Sequence, residues 1–446
     1  MNLTLIKPNM GRMGDKKYID EGRMEPLQLG VLAGLTPPEV SVRLIDDRME
    51  AIDYDLATDL VALTVETFTA KRSYQIAGQY RRRGVPVVLG GMHVSLIPEE
   101  AKEQADAIVI GDAESVWPEV LRDAKTNRLQ PVYHGRFQAK PQAGVMTRRD
   151  LFHGKGYLPI SLMQFSRGCP HHCHFCASSS YFGARQAVRD VAEVIKEIKS
   201  QPRKLIFFVD DNLVADFSAA KELFRALIPL KIKWVSQGSI DMLQDHELME
   251  LMVKSGCLGL VIGFESINPE SLKGMNKQTN QHLSRAYQEQ IEDLRRYGLQ
   301  TWAAFTIGHD EDTPQSIAEL CEFAIGSKFT FAAFNILMPY PATTLYDQLA
   351  KQERLLYQGK WWIHPDYRFN HAAFLPKLMS PEELTQAGFL ARQRFNSPLS
   401  ILRRALEPRT NLRSVYRLFT YLIYNPLFRR EVYKKQDMTL GVSDED

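Results

Sequence analysis

The sequence predicts an α/β protein in three parts: a doubly wound domain, a partial barrel of six strand and helix units, and a mostly helical C-terminal region. Two series of short apolar runs alternate with amphipathic stretches along the 446 residues. Such alternation is typical of parallel sheets covered on both faces, and this length favours about two to four domains. The predicted boundaries are 1–125 for the first domain, 126–157 for a linker, 158–350 for the barrel and 351–446 for the C-terminal region.

The first series consists of five apolar runs, LTLIKP, SVRLID, LVALTVE, VPVVLGG and ADAIVIGD. In a doubly wound sheet, ligands bind beyond the carboxyl ends of the strands, so residues that directly follow these runs are the candidates for binding. The segment 126–157 contains several Pro, Gly and Gln residues and has no sustained period, which predicts a linker.

The second series predicts the barrel. Its six candidate strands are SLMQFSRG, KLIFFVDD, KWVSQGS, LGLVIGFES, TWAAFTIG and AAFNILMP, with helical patterns such as 190–200, 218–227 and 281–297 between them. Six consecutive units of this kind predict a barrel or partial barrel whose chemistry lies at the carboxyl ends of the strands.

The C-terminal region begins with a helix-start signal and continues with a basic segment. Ser380, Pro381 and the acids after them predict a helix over 380–395. Residues 391–435 carry nine Arg and two Lys against two Glu, a local charge of +9 in a chain of formal charge +2. Interleaved arginines and apolar residues suit an anionic membrane surface or a solvated helical face across the barrel mouth. Pro408 and Pro426 are expected to break any long helix here.

Composition indicates a cytoplasmic protein. The chain is 44% hydrophobic and 24% charged, as in ordinary soluble globular proteins, and no apolar run approaches the roughly 18 residues of a spanning helix. The N-terminus lacks the order of a secretory signal. No nucleic acid partner is expected, because no recognisable binding module is present. Peripheral membrane contact through 391–435 is left open.

Three of the five cysteines, Cys169, Cys173 and Cys176, lie within eight positions directly after an apolar run. Three thiolates can bind an iron–sulfur cluster and leave one iron without a protein ligand. That iron can chelate S-adenosylmethionine, which one-electron reduction then cleaves to a 5'-deoxyadenosyl radical. The alternative is a zinc-stabilised binding protein, since histidines lie among the cysteines, although the distant cysteine pair usual in zinc motifs is missing.

The cysteine spacing, the aromatic residue before the third cysteine and the six-unit series together resemble the radical SAM superfamily over residues 161–345. The resemblance implies a [4Fe-4S] cluster, a TIM-like partial barrel and adenine packing by the aromatic residue. The implied contacts to S-adenosylmethionine are Phe175, Asp210, Asp211, Gln237, Glu265, Ser266, Gly308 and Met338. One of Asp210 and Asp211 could instead cap the next helix, and Glu265 could be a solvent-facing cap.

A doubly wound domain followed by this barrel resembles the B12-binding, cobalamin-dependent subclass of that superfamily. EPLQLGVLAGLTP, LTVETFT, GGMHVSLIPEEA and ADAIVIGDAESVWPEVL fit the subclass in order and spacing, which implies a Rossmann-like cobalamin-binding domain. The chain lacks Asp-x-His-x-x-Gly, so cobalt ligation by a histidine is not expected, and a scaffold without cobalamin is the alternative. The implied contacts are Thr64, Glu66, Thr67, Gly90, Gly91, His93, Gly111 and Glu114.

This resemblance implies methylation of a carbon centre in a small-molecule or lipid-like substrate, with electrons from a flavodoxin- or ferredoxin-type donor. The alternative within the same machinery is cyclisation or rearrangement of a tetrapyrrole or isoprenoid, with a first domain that is only partly functional. A methylthiotransferase would need a second cluster, for which Cys257 and Cys321 are too isolated.

Overall fold

A computed structural model describes residues 1–13, 16–18, 22–137, 143–281 and 286–442. All five apolar runs of the first series are strands of one parallel sheet, here called the first sheet. Counting only the strands of this sheet in chain order, the second lies at one edge and is followed by the first, third, fourth, fifth and sixth. In chain order the strands are Asn2–Lys7, Ser41–Asp46, Leu60–Thr64, Val87–Gly90, Ala107–Ile110 and Val132–His134.

The sixth strand corrects the prediction of a linker over 126–157. Val132–His134 pairs in parallel with Ala107–Ile110, although three residues are too few to show a period. Tyr133 and Phe152 are both buried in the core of the first domain, which holds this segment against the sheet. Residues 138–142 of the predicted linker lie outside the described residues.

Helices cover both faces of the first sheet, as a doubly wound domain requires. Leu27–Leu35 and Trp117–Lys125 share one core with the sheet, and the helices that follow the third and fourth strands share the other. Those helices are Ala70–Arg82, Met92–Leu96 and Pro98–Glu103.

The second sheet contains six parallel strands that are hydrogen-bonded in chain order. Strands in this order are the arrangement that a partial barrel needs, and all six predicted strands are present. The pairing register shifts between Gly263 and Glu265, near the carboxyl end of the fourth strand, where Glu265 has a φ of 61°. The strands are Ser161–Met163, Leu205–Phe208, Lys233–Gly238, Cys257–Glu265, Gln300–Ile307 and Phe331–Ile336.

Helices lie between and after these strands. The predicted helix over 281–297 begins later than expected, at Tyr287, and residues 282–285 lie outside the described residues. The first predicted strand is also shorter than expected, because Ser166–Gly168 leaves the sheet and pairs with Gln186–Val188 in an antiparallel hairpin. The helices are Ala177–Phe182, Val191–Lys199, Phe217–Leu227, His246–Lys254, Pro269–Gly274, Gln278–Gln281, Tyr287–Arg296, Pro314–Gly326 and Thr344–Lys351.

The C-terminal region contains the three helices Pro381–Phe395, Pro398–Ala405 and Val415–Lys435. The first has the predicted cap, since Ser380 Oγ accepts a hydrogen bond from Glu383 N at 3.1 Å. The prediction that Pro426 breaks the last helix is wrong. Pro426 lies on the exposed face, so the carbonyl group that lacks its usual partner faces solvent.

The C-terminal region also completes the first domain. Trp361, Trp362 and Tyr367 are buried in one of its two cores. Thr439–Leu440 pairs in antiparallel fashion with Gly11–Met13. Among the described helices, none has both the length and the apolar character needed to cross a membrane.

Candidate active site

The cysteine loop, residues 169–176, leads from the hairpin into the helix Ala177–Phe182. Asp211 holds both ends of this loop, since its carboxylate accepts hydrogen bonds from Gly168 N at 3.0 Å and Ser178 Oγ at 2.6 Å. Asp211 follows the second strand of the second sheet, so this contact fixes the loop at the carboxyl end of that strand.

Main-chain hydrogen bonds hold the middle of the cysteine loop. His174 N donates to the carbonyl oxygen of Met275 at 3.0 Å, and the carbonyl oxygen of His174 accepts from Leu345 N at 2.9 Å. Asn276 Nδ2 donates to the carbonyl oxygen of His172 at 2.9 Å. The loop is therefore fastened to the turn after the fourth strand and to the helix after the sixth.

All three loop cysteines are free and half-buried. Burial raises the pKa of Cys169 and raises that of Cys173 to about 11, while the ammonium group of Lys277 acts in the opposite direction. The charge of Cys176 contributes to both shifts and that of Cys169 to the shift of Cys173, so the three sulfurs lie within electrostatic range of one another. A cation beside them favours the thiolate form that binds iron.

Lys277 is a site residue that sequence reasoning missed. Its Nζ lies 3.0 Å from Glu265 Oε1, and the side chains are only 16% and 8% exposed. Burial opposes the charge of Lys277, but Glu265 and the cysteine thiols raise its pKa more strongly. No motif marks this lysine in the sequence, because only the fold brings it beside the cysteine loop.

The donor set fits a [4Fe-4S] cluster. Cys169, Cys173 and Cys176 supply the three thiolates of a cluster that keeps one open iron, and Lys277 offsets part of their charge.

Phe175 and Gly308 line one cavity of about 100 Å³ beside the cysteine loop, together with Leu337. Gly308 has a φ of 101°, and a Cβ there would lie 2.6 Å from Leu384 Cδ2. The left-handed backbone conformation therefore favours glycine at this turn. The structure thus brings together two of the residues expected to contact S-adenosylmethionine.

The candidates after the third and fourth strands lie at the same end of the sheet. Gln237 is half-buried near the end of the third strand. Glu265 and Ser266 are buried, and Ser266 Oγ accepts a hydrogen bond from Asn268 N at 3.0 Å. The alternative that Glu265 is a solvent-facing cap is wrong, because its carboxylate is paired with Lys277.

Met338 occupies a different position from the other candidates. It packs against the core of the second sheet and against one core of the first domain, and its Sδ lies 3.9 Å from the Tyr367 hydroxyl. It does not line the cavity that contains Phe175. The structure therefore places Met338 between the two domains.

Asp210 is fully buried and positions the chain before the cysteine loop. Its carboxylate accepts hydrogen bonds from Phe165 N at 3.1 Å, from Ser166 Oγ at 2.6 Å and from Ser166 N. Neither Asp210 nor Asp211 caps the next helix, because that cap is Asp216, which accepts from Ala219 N.

Stability should depend on pH through Asp210. Burial raises its pKa to about 7 against the effect of its hydrogen bonds. Because the unfolded carboxyl loses its proton near pH 4 and the folded one only near 7, the stability that this group contributes is full at low pH and is lost as the pH rises between them. Asp210→Asn should remove a few kcal/mol of this dependence, measured as the denaturation midpoint of the cluster-free chain across this range. Equal pH slopes for both proteins would contradict the assignment.

A second cavity, of about 410 Å³, lies between the strand ends of the first sheet and the start of the second, and is called the interdomain cavity here. Apolar side chains form most of its wall, including Leu29, Val88 and Val109. Six of the eight residues predicted to contact cobalamin line it: Thr64, Glu66, Gly90, Gly91, Gly111 and Glu114.

Glu66 presents a carboxylate to the interdomain cavity. Its Oε1 lies 2.6 Å from Lys7 Nζ. The Glu66 side chain is 56% exposed because it faces the open space of the cavity, which protein encloses. The charge of Lys7 lowers the pKa of Glu66, and burial acts in the opposite direction. The cavity therefore contains a negative charge at this edge.

Thr67 and His93, the other two predicted contacts, do not line the interdomain cavity. His93 turns into the core of the first domain, where its Nδ1 lies 3.3 Å from Thr67 Oγ1 and its Nε2 3.5 Å from Glu100. The ring of Trp362 packs edge-on against it, with centroids 5.6 Å apart. His93 is thus buried in this core, with Nδ1 within hydrogen-bond distance of Thr67 and Nε2 covered by Glu100.

Arg167 joins the two domains next to the cysteine loop and was not predicted. Its guanidinium is hydrogen-bonded to Glu114 and lies 3.4 Å from Asp112 Oδ2. Asp112 also accepts a hydrogen bond from the Tyr181 hydroxyl at 3.0 Å. Because all four side chains line the interdomain cavity, its wall reaches to within two residues of Cys169.

Tyr340 lies between the two regions. Burial raises the pKa of its hydroxyl, and the charges of Glu66 and Cys176 raise it further, which places Tyr340 within electrostatic range of both. Its ring packs against Phe68 and Trp361, with centroids 6.1 and 5.9 Å away. This aromatic packing holds Tyr340 against one core of the first domain.

Comparison with known proteins gives the relatives of this chain. The family model described as the radical SAM superfamily matches residues 163–324. The chain is 32% identical over 359 residues to bacteriochlorophyllide d C-8(2)-methyltransferase of Chlorobaculum tepidum, covering 74% of this chain and 77% of that protein. It is 29% identical over 391 residues to bacteriochlorophyllide d C-12(1)-methyltransferase of the same organism, covering 84% and 83%.

The relatives also include an enzyme named for a different reaction. Anaerobic magnesium-protoporphyrin IX monomethyl ester cyclase of Cereibacter sphaeroides is 24% identical over 374 residues, covering 75% of this chain and 58% of that protein. Among solved structures, the radical S-adenosylmethionine methyltransferase TsrM of Kitasatospora setae, with cobalamin and a [4Fe-4S] cluster bound, has the same fold. Its TM-score is 0.64 at 17% identity, covering 97% of this chain and 99% of that one.

Proposed function

Because the chain belongs to the radical SAM superfamily, we propose that it is a cobalamin-dependent enzyme that methylates a carbon of a small-molecule substrate. The observation that carries the proposal is the interdomain cavity, whose wall extends from the strand ends of the first sheet to Arg167 beside the cysteine loop. A methyl carrier held there would stand next to the site of radical formation.

Residues at the carboxyl end of the second sheet would bind the cluster and S-adenosylmethionine. Cys169, Cys173 and Cys176 would hold the cluster, and Phe175 with Gly308 would contact the adenine of S-adenosylmethionine. When bound, the cluster supplies the electron that cleaves S-adenosylmethionine, and cobalamin supplies a carrier for the methyl group. A flavodoxin- or ferredoxin-type protein would donate that electron.

The interdomain cavity suits a large ring with polar arms. Gly90, Gly91 and Gly111 add no side chain to its wall, so a planar group can approach the backbone. Thr64 and Glu66 offer hydrogen-bonding groups at one edge. No histidine stands in the described wall, so the cavity offers cobalt no imidazole ligand.

A tetrapyrrole is the substrate class that we propose first. Both methyltransferases reported above are named for bacteriochlorophyllide d, and the cyclase is named for a magnesium porphyrin. The cyclase is also the reason to keep ring formation as a second candidate reaction. The two reactions differ in whether the product gains a carbon atom.

The proposal is tested by reconstituting the protein anaerobically with iron, sulfide and cobalamin and supplying a chemical reductant and S-adenosylmethionine whose methyl group is labelled with deuterium. With a chlorophyllide-type substrate, we expect 5'-deoxyadenosine and a product that carries the labelled methyl group. A product of unchanged carbon number would favour cyclisation. Absence of both 5'-deoxyadenosine and iron would contradict the family's chemistry in this chain.

A substitution that fills part of the interdomain cavity should weaken cobalamin binding without affecting the cluster. Gly90→Phe is expected to weaken cobalamin binding about tenfold or more, because a ring added to the cavity wall overlaps the ligand. Cluster iron and 5'-deoxyadenosine formation should persist while methyl transfer falls in parallel with bound cobalt. The matched control is Gly326→Phe, since a Cβ added to this glycine would have open space within 4 Å. Equal cobalt in all three proteins would refute cobalamin binding in this cavity.

A further inference from the structure

Two C-terminal helices, Pro398–Ala405 and Val415–Lys435, carry apolar side chains on their exposed sides. Of nineteen large hydrophobic residues exposed in the described part of the chain, ten lie between 399 and 433. Among them Val415 is 87% exposed, Leu399 71% and Phe419 61%. Such a concentration is unusual on a protein surface and marks a site of interaction.

The exposed apolar residues of the longer helix follow helical spacing and so occupy one face. The opposite, buried face is polar at several positions, so the usual arrangement of an amphipathic helix is inverted. Arg417, Asn425 and Glu431 are buried. The exposed face contains Val415, Phe419, Leu422, Ile423, Pro426 and Tyr433.

The buried polar side chains bind the amino ends of the second sheet. Arg404 is fully buried, and its Nη1 donates to the carbonyl oxygens of Phe329 and Thr330 at 2.9 and 3.0 Å, just before the sixth strand. Arg417 Nη1 donates to the carbonyl oxygen of Gly298, before the fifth strand, at 2.5 Å. These contacts fix which side of each helix faces outward. They also correct the expectation that this segment crosses the barrel mouth.

Charge on the outward surface is positive. Both glutamates of the segment 391–435, Glu407 and Glu431, are buried. Arg403, Arg413 and Arg430 are exposed, and in the described ranges none of them has a carboxylate within ion-pair distance. Arg413 Nη1 donates to the carbonyl oxygen of Tyr297 at 2.9 Å, so part of its guanidinium is already engaged. The surface therefore combines exposed apolar side chains with arginines that lack acidic partners.

We propose that this surface, formed by residues 398–433, docks on an anionic lipid membrane. Its apolar side chains would enter the boundary between headgroups and acyl chains, and its arginines would bind the headgroups. This inference is independent of the proposed reaction.

Two other occupants fit the observations less well. A second copy of the chain would place this positive surface against itself, and like charges at an interface oppose association. An acidic redox partner bound here would reach the amino ends of the strands, whereas the cysteine loop lies at the carboxyl ends. Strands of six to eight residues separate the two ends by roughly 20 Å or more.

The test is flotation of the full-length holoenzyme with vesicles of phosphatidylcholine and phosphatidylglycerol mixed three to one, compared with phosphatidylcholine alone. We expect binding to the mixed vesicles and much weaker binding to the neutral ones. Each of two triple variants should lower the partition coefficient on mixed vesicles on the order of 100-fold. The variants are Leu402→Ser with Phe419→Ser and Leu422→Ser, and Arg403→Gln with Arg413→Gln and Arg430→Gln.

A matched control replaces exposed apolar residues elsewhere, Leu56→Ser with Ile228→Ser and Leu378→Ser, and should bind vesicles as the unchanged protein does. Circular dichroism and cluster iron show that each variant is folded. Equal binding to neutral vesicles, or no vesicle binding at all, would overturn the proposal. The proposal would also be overturned if the holoenzyme were a dimer and the apolar triple variant made it monomeric without changing vesicle binding.

Discussion

Replacing Cys173 by alanine is expected to lower 5'-deoxyadenosine formation by at least about 1,000-fold. The cysteine loop offers three thiols to a cluster that needs all of them, and hydrogen bonds to the main chain of His172 and His174 hold the loop in place. The measurement is 5'-deoxyadenosine released from S-adenosylmethionine by the reconstituted protein under a chemical reductant, together with iron content and visible absorbance.

The matched control for this substitution is Cys321→Ala. Cys321 is a free, buried cysteine in the helix Pro314–Gly326, and its Sγ lies 3.4 Å from the carbonyl oxygen of Ala391. Its loss should leave iron content and 5'-deoxyadenosine formation within about twofold of the unchanged protein. If Cys173→Ala retained a full complement of iron and its activity, the three-cysteine assignment would be wrong.

Replacing Lys277 by methionine is expected to destabilise the cluster-free chain by about 3 to 5 kcal/mol, because it leaves the buried carboxylate of Glu265 without its partner. Adding Glu265→Gln should restore much of that loss, since the neutral pair leaves no unpaired charge. The measurement is the midpoint of chemical denaturation for the single variants and the double variant.

A second readout distinguishes charge from packing at Lys277. If this ammonium offsets the charge of the thiolates, both the single and the double variant should lose cluster iron faster on dialysis than the unchanged protein. Lys273→Met, at an exposed position four residues earlier in the helix Pro269–Gly274, is the matched control and should change neither quantity. Stability equal to that of the control would show that the ion pair has no energetic role.

Much of the fold could be predicted because buried parallel strands appear in the sequence as unbroken apolar runs. Each such run marks a strand, and the residue after the run marks the edge where ligands bind. That is why the cysteine loop, Glu265 and Gly308 were placed at one end of the second sheet from the sequence, and why Thr64 and Gly90 were placed at one end of the first.

What could not be predicted depends on contacts between distant parts of the chain. Val132–His134 is too short to show a period, and Lys277 becomes a site residue only because a turn brings it to the cysteine loop. His93 follows a strand, as a ligand-binding residue would, but a neighbouring helix and Trp362 draw its ring into the core. Because Pro426 was expected to break the last helix, a continuous apolar face along Val415–Lys435 was not predicted.

The packing of Trp361 and Trp362 against the first sheet has a consequence for synthesis on the ribosome. The strands of that sheet are translated first, but the side chains that close one of its cores follow more than 200 residues later, and the strand Thr439–Leu440 later still. At about 5 to 20 residues per second, the nascent sheet waits roughly 15 to 60 s for its last contacts. Part of its apolar face stays uncovered during that interval, so the first domain completes its packing only after the second sheet has been synthesised.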